Sequence, residues 1–410
     1  MNPQTRPLVV VETHPVQYHA PVYRAVQATF GVPVTVVYGS DFSIVGYRDK
    51  EFGASFSWDT DLTAGTEVRF LSRVRDGGAR SFEEVSGRGL MRAVNNSKPS
   101  AVLMTGYSRS FHMATFWAAR FTGCPLLFRA ETSDRAASRT SIKSAVRDWT
   151  LRRLYASCEC VLPIGSNSYE HYRRLGVAEE KMHFAPYCVN TASFRCDESS
   201  RDELRAAARR DLGLAPGDIG VLFSGKLSVR KGVHVLTEAV KRLSDSLRNR
   251  IVLVFLGAGS EKDAIEAASA TAPIIRVCFP GFRNQTELSP FYHAADMLAL
   301  PSLHSETWGL VVNEALHHGV PCVVSDSVGC APDLIEEGRT GFVAKTSSAD
   351  SLARALDRTA LLADDAGTRE QCRRKANAFS VESAAEGIAK AWREAVIGRA
   401  PAAAERGVPA

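Results

Sequence analysis

Residues 301–325 read PSLHSETWGLVVNEALHHGVPCVVS and follow the apolar run Met297–Leu300. An aliphatic run, a polar loop, an apolar helix-like stretch closed by Gly319 and Pro321, and a second aliphatic run to Ser325 make one strand–loop–helix–strand unit. Such a unit belongs to a parallel sheet with helical crossovers. Glu306 lies just before the helix and Glu314 about two turns inside it, so the carboxylates cannot form a close acid/base pair unless the loop folds back. Between them, the amides from Trp308 to Val311 lack intrahelical carbonyls and face whatever anion occupies the cleft. Carboxylates flanking an amide-rich helix start suit a ligand with hydroxyls on both sides of a diphosphate. That ligand is a nucleotide sugar.

The same grammar repeats outward from this unit. Ile219–Ser224, Ile251–Gly257, Ile274–Cys278 and Pro321–Ser325 read as further strands of the second half; Leu8–Glu12, Val32–Tyr38, Ala101–Thr105, Pro125–Arg129 and Cys160–Ile164 read as strands of the first. Asp41–Ser86, rich in Gly, Ser and charge, breaks the rhythm and predicts irregular or hairpin structure. Ala185–Ser200 is a non-periodic connector. Two successive α/β halves imply two Rossmann-like, doubly wound domains facing each other across a cleft, residues 1–190 and 191–379, with ligands at the carboxyl ends of the strands. The helix within 380–397 puts Val381, Ala385, Ile388, Trp392 and Val396 on one face and needs a partner surface, which the first domain offers. Residues 398–410 read as a flexible tail.

Two other loops carry a related theme. Gly225-Lys226-Leu227-Ser228-Val229-Arg230-Lys231-Gly232 opens an apolar helix with two glycines and three cations, which suits an anion or, more plainly, a solvated basic turn. It lacks the order of a Walker loop. Gly257-Ala258-Gly259 has only two glycines of a dinucleotide fingerprint, with Lys262 at the third position, so a tight turn accounts for it.

Taken together, the Glu306–Glu314 spacing, the Gly225–Gly232 loop, Phe279–Arg283, Ala294–Ser302, Gly338–Val343 and the connector Val189–Phe194 resemble the retaining GT-B glycosyltransferases of family 4, or group 1. The resemblance covers nearly all of the second half. It implies a GT-B fold and transfer of a hexose or related sugar, with retention, from a nucleoside-diphosphate sugar to a glycan, lipid-linked glycan or small natural-product acceptor. A donor phosphate oxygen would take the acceptor proton, with neither a metal nor another cofactor. Lys226 and Lys231 would neutralise the diphosphate, Lys226 replacing the family's usual Arg and giving up bidentate geometry. Glu314 would accept from ribose hydroxyls and Glu306 from the sugar. Gly225, Gly309, Leu310 and Val311 would present backbone to the donor, and Arg283 would line the base pocket.

The first half departs from that family. A glycine-rich loop is absent after the first strand; His14, Gln17 and His19 stand there, and bind acceptor or phosphate unless Pro15 merely fixes a turn. Glu131, at a strand end where relatives carry a His, is a candidate to orient the acceptor hydroxyl beside Arg129 and Tyr107, or else pairs structurally with Arg129. Asp59-Thr60-Asp61 resembles a metal-binding Asp-x-Asp motif outside its expected context. Arg135, Arg139, Lys143 and Arg147 recur every four residues, a solvated helix face or a ridge for anionic membrane.

Composition frames these readings. A chain of 410 residues, 45% hydrophobic with a net charge of +5, is too apolar for disorder and too weakly basic for nucleic-acid binding. Nine scattered cysteines make no disulfide framework or zinc motif, and no apolar run approaches the ~20 residues of a membrane span. The expected location is the cytoplasm, with peripheral contact at the inner face of the membrane. Two other functions share these features: a same-fold nucleotide-sugar epimerase or phosphorylase, and a catalytically silent, membrane-associated sugar-nucleotide binder.

Overall fold

The computed structural model of the protein describes residues 5–48, 55–56, 58–107, 110–132, 134, 141–271 and 275–398. Its strands are β1 (Leu8–Glu12), β2 (Val34–Ser40), β3 (Tyr47–Arg48), β4 (Ser55–Phe56), β5 (Glu67–Ser72), β6 (Ala101–Met104), β7 (Leu126–Phe128), β8 (Cys160–Val161), β9 (Ile219–Ser224), β10 (Ile251–Leu256), β11 (Arg276–Cys278), β12 (Met297–Leu300), β13 (Cys322–Ser325) and β14 (Gly341–Ala344). Apart from the antiparallel β3–β4 pair, they form two parallel sheets, β5-β2-β1-β6-β7-β8 and β11-β10-β9-β12-β13-β14. Ranked within each sheet, both orders are 3-2-1-4-5-6, the doubly wound pattern.

The central strands are aliphatic throughout because helices cover both faces. Val10 lies between Val36 and Leu103 in the first sheet, and Leu222 between Val254 and Leu298 in the second. On the first sheet, the helices Leu90–Asn96, Ser110–Thr122 and Ser141–Ala156 share one core, and Ala20–Phe30 and Val381–Ile397 share the other. The last helix therefore returns from the second domain to bury Ala385, Ile388, Trp392 and Val396 against the first, where Trp392 Nε1 donates to Ser100 Oγ at 2.8 Å.

The strand order reverses between β1 and β6 and between β9 and β12. The loops after these four strands open the ligand-binding crevices of the fold.

The stretch 41–86 holds the expected β3–β4 pair, and also β5, a full parallel partner of β2 with Val37 opposite Arg69. β5 is partly exposed along its length, so its charged residues are those of a sheet edge and carry no apolar run to announce it. Arg135, Arg139 and the tail from 399 onward lie outside the described residues.

Candidate active site in the interdomain cleft

The two loops of the second switch point are pressed together by glycine. Gly232 has φ +69°, and a Cβ there would lie 2.1 Å from the carbonyl oxygen of Pro301. Leu303 N donates to Arg230 O at 2.8 Å across the same contact. This approach brings Lys231 Nζ onto Glu306 Oε2, which also accepts from Ser302 Oγ at 2.9 Å, with Arg230 at 4.0 Å. The Lys231 and Glu306 side chains are only 13% and 12% exposed, so their attraction is screened less than that of a surface pair. Lys226 stands half-buried on the same loop.

The helix after this loop runs Leu310–His317, with Gly309 at φ 104° as its first cap, so the amides of Leu310 and Val311 start the helix as expected. A cavity of about 220 Å³ lies beside it, lined by Gly225, Arg283, Val311 and Glu314. Glu314 is buried and accepts from Tyr292 Oη at 2.5 Å; burial pushes its carboxyl up to about 7, against that hydrogen bond.

The first domain contributes to this same cavity through Gln17 and Trp58. Gln17 therefore lines the cavity beside Glu314, apart from His14 and His19, because the turn after β1 carries it across the cleft. Its Oε1 is buried with no partner among the described residues. Asp59 Oδ2 accepts from Thr286 N at 3.0 Å and Oγ at 2.6 Å, bridging the domains next to Trp58. Asp61 Oδ1 instead holds its own turn, accepting from Thr63 and Ala64 amides at 2.8 and 3.1 Å. The Asp-x-Asp stretch is thus an interdomain contact followed by a turn.

A second cavity, about 390 Å³, opens at the switch point of the first sheet and is lined by Glu12, His14, His19, Tyr107, Glu131 and Tyr187. His19 Nδ1 lies 2.7 Å from Glu12 Oε1, and Tyr23 Oη donates to that oxygen at 2.5 Å. Burial opposes the charge on Glu12, yet His19 and these two hydrogen bonds outweigh it and hold the carboxyl below its usual range. Glu12 Oε2 is buried without a partner among the described residues. Burial pushes His14 down to about 4, so it is a neutral imidazole against the Phe42 ring.

Tyr187, on the connector, joins the pieces. Its hydroxyl donates to Glu131 Oε1 at 2.6 Å and lies 3.2 Å from His19 Nε2. Glu131 Oε2 in turn accepts from Thr307 Oγ, the residue after Glu306. A polar chain thus runs from Glu12 through His19, Tyr187 and Glu131 to the second domain's loop.

Arg129 does not join that wall. Its buried guanidinium donates to the carbonyls of Ala185 at 3.1 Å and Pro186 at 2.8 Å, fixing the connector that presents Tyr187. Nor does Arg129 pair with Glu131 or Asp134: Asp134 is held by His171 and Arg174. Arg147 is likewise spent on Asp134, Asp148 and Tyr107 and is only 15% exposed, so it presents no cation to a membrane.

Sequence reasoning missed Glu12, Trp58 and Tyr187. Glu12 had a signal: a lone carboxylate ends an otherwise aliphatic buried strand. Tyr187 had none, since its partners come from residues 19 and 131.

Comparison with known proteins follows this geometry. Residues 205–379 match the family described as glycosyl transferases group 1. A D-inositol 3-phosphate glycosyltransferase of Nocardia farcinica is 36% identical over 245 residues, 56% of this chain and 52% of the relative. An uncharacterized glycosyltransferase of Methanocaldococcus jannaschii is 29% identical over 217 residues, 53% of each. The chain thus spans about half the length of these curated relatives. Among solved structures, Anabaena HepE in complex with UDP and glucose aligns over 94% of this chain and 98% of its own at a TM-score of 0.64 and 16% identity. A glycosyltransferase from Rickettsia africae aligns over 96% and 99% at a TM-score of 0.68 and 13% identity. The fold is GT-B.

Proposed function

We propose that the chain is a retaining glycosyltransferase that moves a sugar from a nucleoside-diphosphate sugar to an acceptor hydroxyl. The observation that carries this reading is the Lys231–Glu306–Ser302 cluster, standing between a cavity that Glu314 and Gly225 line and the Glu131 side of the facing domain. The nucleoside occupies the 220 Å³ cavity, its ribose hydroxyls on Glu314 and its base toward Arg283 and Trp58. Lys226 and Lys231 face the diphosphate, whose charge grows as the sugar C1–O bond breaks. Glu306 takes sugar hydroxyls. The acceptor lies in the 390 Å³ cavity, where Glu131 orients its hydroxyl and Glu12 Oε2 takes a further hydrogen bond from it. The acceptor oxygen bonds C1 on the face that the diphosphate leaves, and its proton passes to a phosphate oxygen.

The HepE complex with UDP and glucose supports this donor class, as do the relatives named glycosyltransferases. A thermal-shift screen of UDP, GDP and ADP sugars tests it, because a bound donor raises the melting temperature by mass action. A shift with at least one sugar nucleotide, followed by a product of unchanged anomeric configuration by NMR, is expected. No shift across the panel overturns the donor class, inversion overturns retention, and donor conversion without acceptor points to the epimerase.

Peripheral contact with an anionic membrane belongs to the same proposal. The Ser110–Thr122 and Ser141–Ala156 helices pack on one core, and their outer sides expose Trp117 (51%), Phe121 (73%), Ile142 (79%) and Trp149 (59%). Exposed Arg120, Lys143, Arg152 and Arg153 flank them. Large apolar side chains rimmed by cations suit the headgroup boundary. Among the described residues no helix is long and apolar enough to cross a membrane. Sedimentation with phosphatidylserine vesicles at low salt is expected to retain the native chain and to release the Phe121→Ser/Ile142→Ser variant; equal sedimentation of both overturns the contact.

A further inference from the structure

Cys160 in β8, His183 on the segment beside it and Glu394 on the Val381–Ile397 helix converge from three separated parts of the chain. Their ligand atoms all lie within 4.8 Å of one another. Cys160 and His183 are buried, while the Glu394 side chain is 52% exposed and opens the group to solvent.

The scaffold is firm. Val161 bridges Met182, and His183 N donates to Val161 O at 3.0 Å, which sets His183 alongside Cys160. The helix is pressed onto this segment: a Cβ at Gly387 would lie 1.9 Å from the Phe184 carbonyl oxygen. Cys160 Sγ lies 3.7 Å from Ala391 O, a weak contact for a thiol.

His183 Nε2 supplies a second observation. It lies 3.2 Å from Glu394 Oε2 and is buried, yet it makes no hydrogen bond among the described residues. Two ligand atoms on one tetrahedral ion, each bonded at about 2.0–2.1 Å, sit roughly 3.3 Å apart. The observed spacing is that of co-ligands.

We propose that Cys160, His183 and Glu394 bind a thiophilic divalent cation, of which zinc is the type, with water completing the tetrahedron, and that this ion clasps the C-terminal helix to the first domain. A thiolate, an imidazole and a carboxylate are the donor set such an ion takes. Binding of the dication expels the thiol proton to solvent and leaves the sulfur as a ligand. The clasp would anchor the segment that leads, four residues on, to Tyr187.

The test uses the full chain stripped of metal with a chelator. Titration with cobalt(II) is expected to give a sulfur-to-cobalt charge-transfer band that Cys160→Ser abolishes while its far-ultraviolet circular dichroism stays native. Competition with a chromophoric chelator is expected to show zinc affinity lowered at least about tenfold in Glu394→Gln, a variant at an exposed side chain that decides the matter even if Cys160→Ser fails to fold. Zinc should raise the melting temperature of the native chain and not that of His183→Gln. A cobalt complex without the sulfur band, a band surviving in Cys160→Ser, or equal zinc affinity in the native chain and Glu394→Gln overturns the site.

Discussion

The two domains share one strand order and differ in how their switch points are built. In the second, the functional groups come from two loops that glycine allows to touch, so Lys231, Ser302 and Glu306 meet at the carboxyl ends of β9 and β12. In the first, glycine is absent after β1, and Glu12, His19, Glu131 and Tyr187 are gathered from three distant segments into one hydrogen-bonded chain. A common topology fixes where ligands bind, at the carboxyl ends beside the reversal of strand order. The loops decide what is bound. The cationic, amide-rich side suits the diphosphate we propose there, and the relayed side, with the Glu12 and Glu131 carboxylates, suits a ligand read by hydrogen bonds.

That division can be broken first at Lys231. Lys231→Ala removes the cation that we place beside the leaving group and leaves Glu306 to Ser302 and Arg230, and kcat/KM in a transfer assay is expected to fall on the order of a thousandfold. A fall below tenfold would mean that the cluster does not touch the departing phosphate.

Tyr187→Phe attacks the other side. It removes the hydroxyl that spans His19 and Glu131, and kcat should fall roughly tenfold to a hundredfold with donor KM unchanged. If donor KM rises equally, the two sides are not separable and the comparison fails.

Glu314 sharpens the donor side through pH. Its carboxyl keeps its proton up to about 7 in the folded chain and loses it near the ordinary Glu value when unfolded. The unfolded chain therefore binds fewer protons between those values, and this group lowers stability as pH rises through that window. Glu314→Gln is expected to melt above the native chain at about pH 8 without ligand, and to raise donor KM about tenfold. A melting temperature below that of the native chain at that pH would refute the burial argument.

The smallest effect is expected at Asp59, exposed at the mouth of the cleft, where Asp59→Ala releases Thr286. A rise of roughly fivefold in donor KM, about 1 kcal/mol, with unchanged acceptor KM fits a closure contact on the donor cavity alone.

Much of the fold was legible because buried parallel strands are aliphatic runs between turn residues, and ten of them stood out on that ground. β5 did not, since an edge strand with one wet side need not be apolar. The grouping around the second switch point was legible for a related reason: Lys226, Lys231 and Glu306 lie on loops directly attached to their strands and Glu314 on the helix that follows, so sequence spacing approximates spatial order. Arg129 and Arg147 show the opposite case. Both sit in sequence contexts that suggest ligand or lipid, and both are consumed by carbonyls or carboxylates from segments no local pattern could connect.

The sequence by itself determined the doubly wound architecture, the two halves and the anion-directed loops of the second, because periodicity, glycine position and charge act within a few residues of one another. Tertiary structure alone decided that Gln17 and Trp58 line the cavity beside Glu314, that Tyr187 links His19 to Glu131, and that Cys160 meets His183 and Glu394. Those groupings depend on how the connector and the returning C-terminal helix fold back, and on the burial that changes what each group can do.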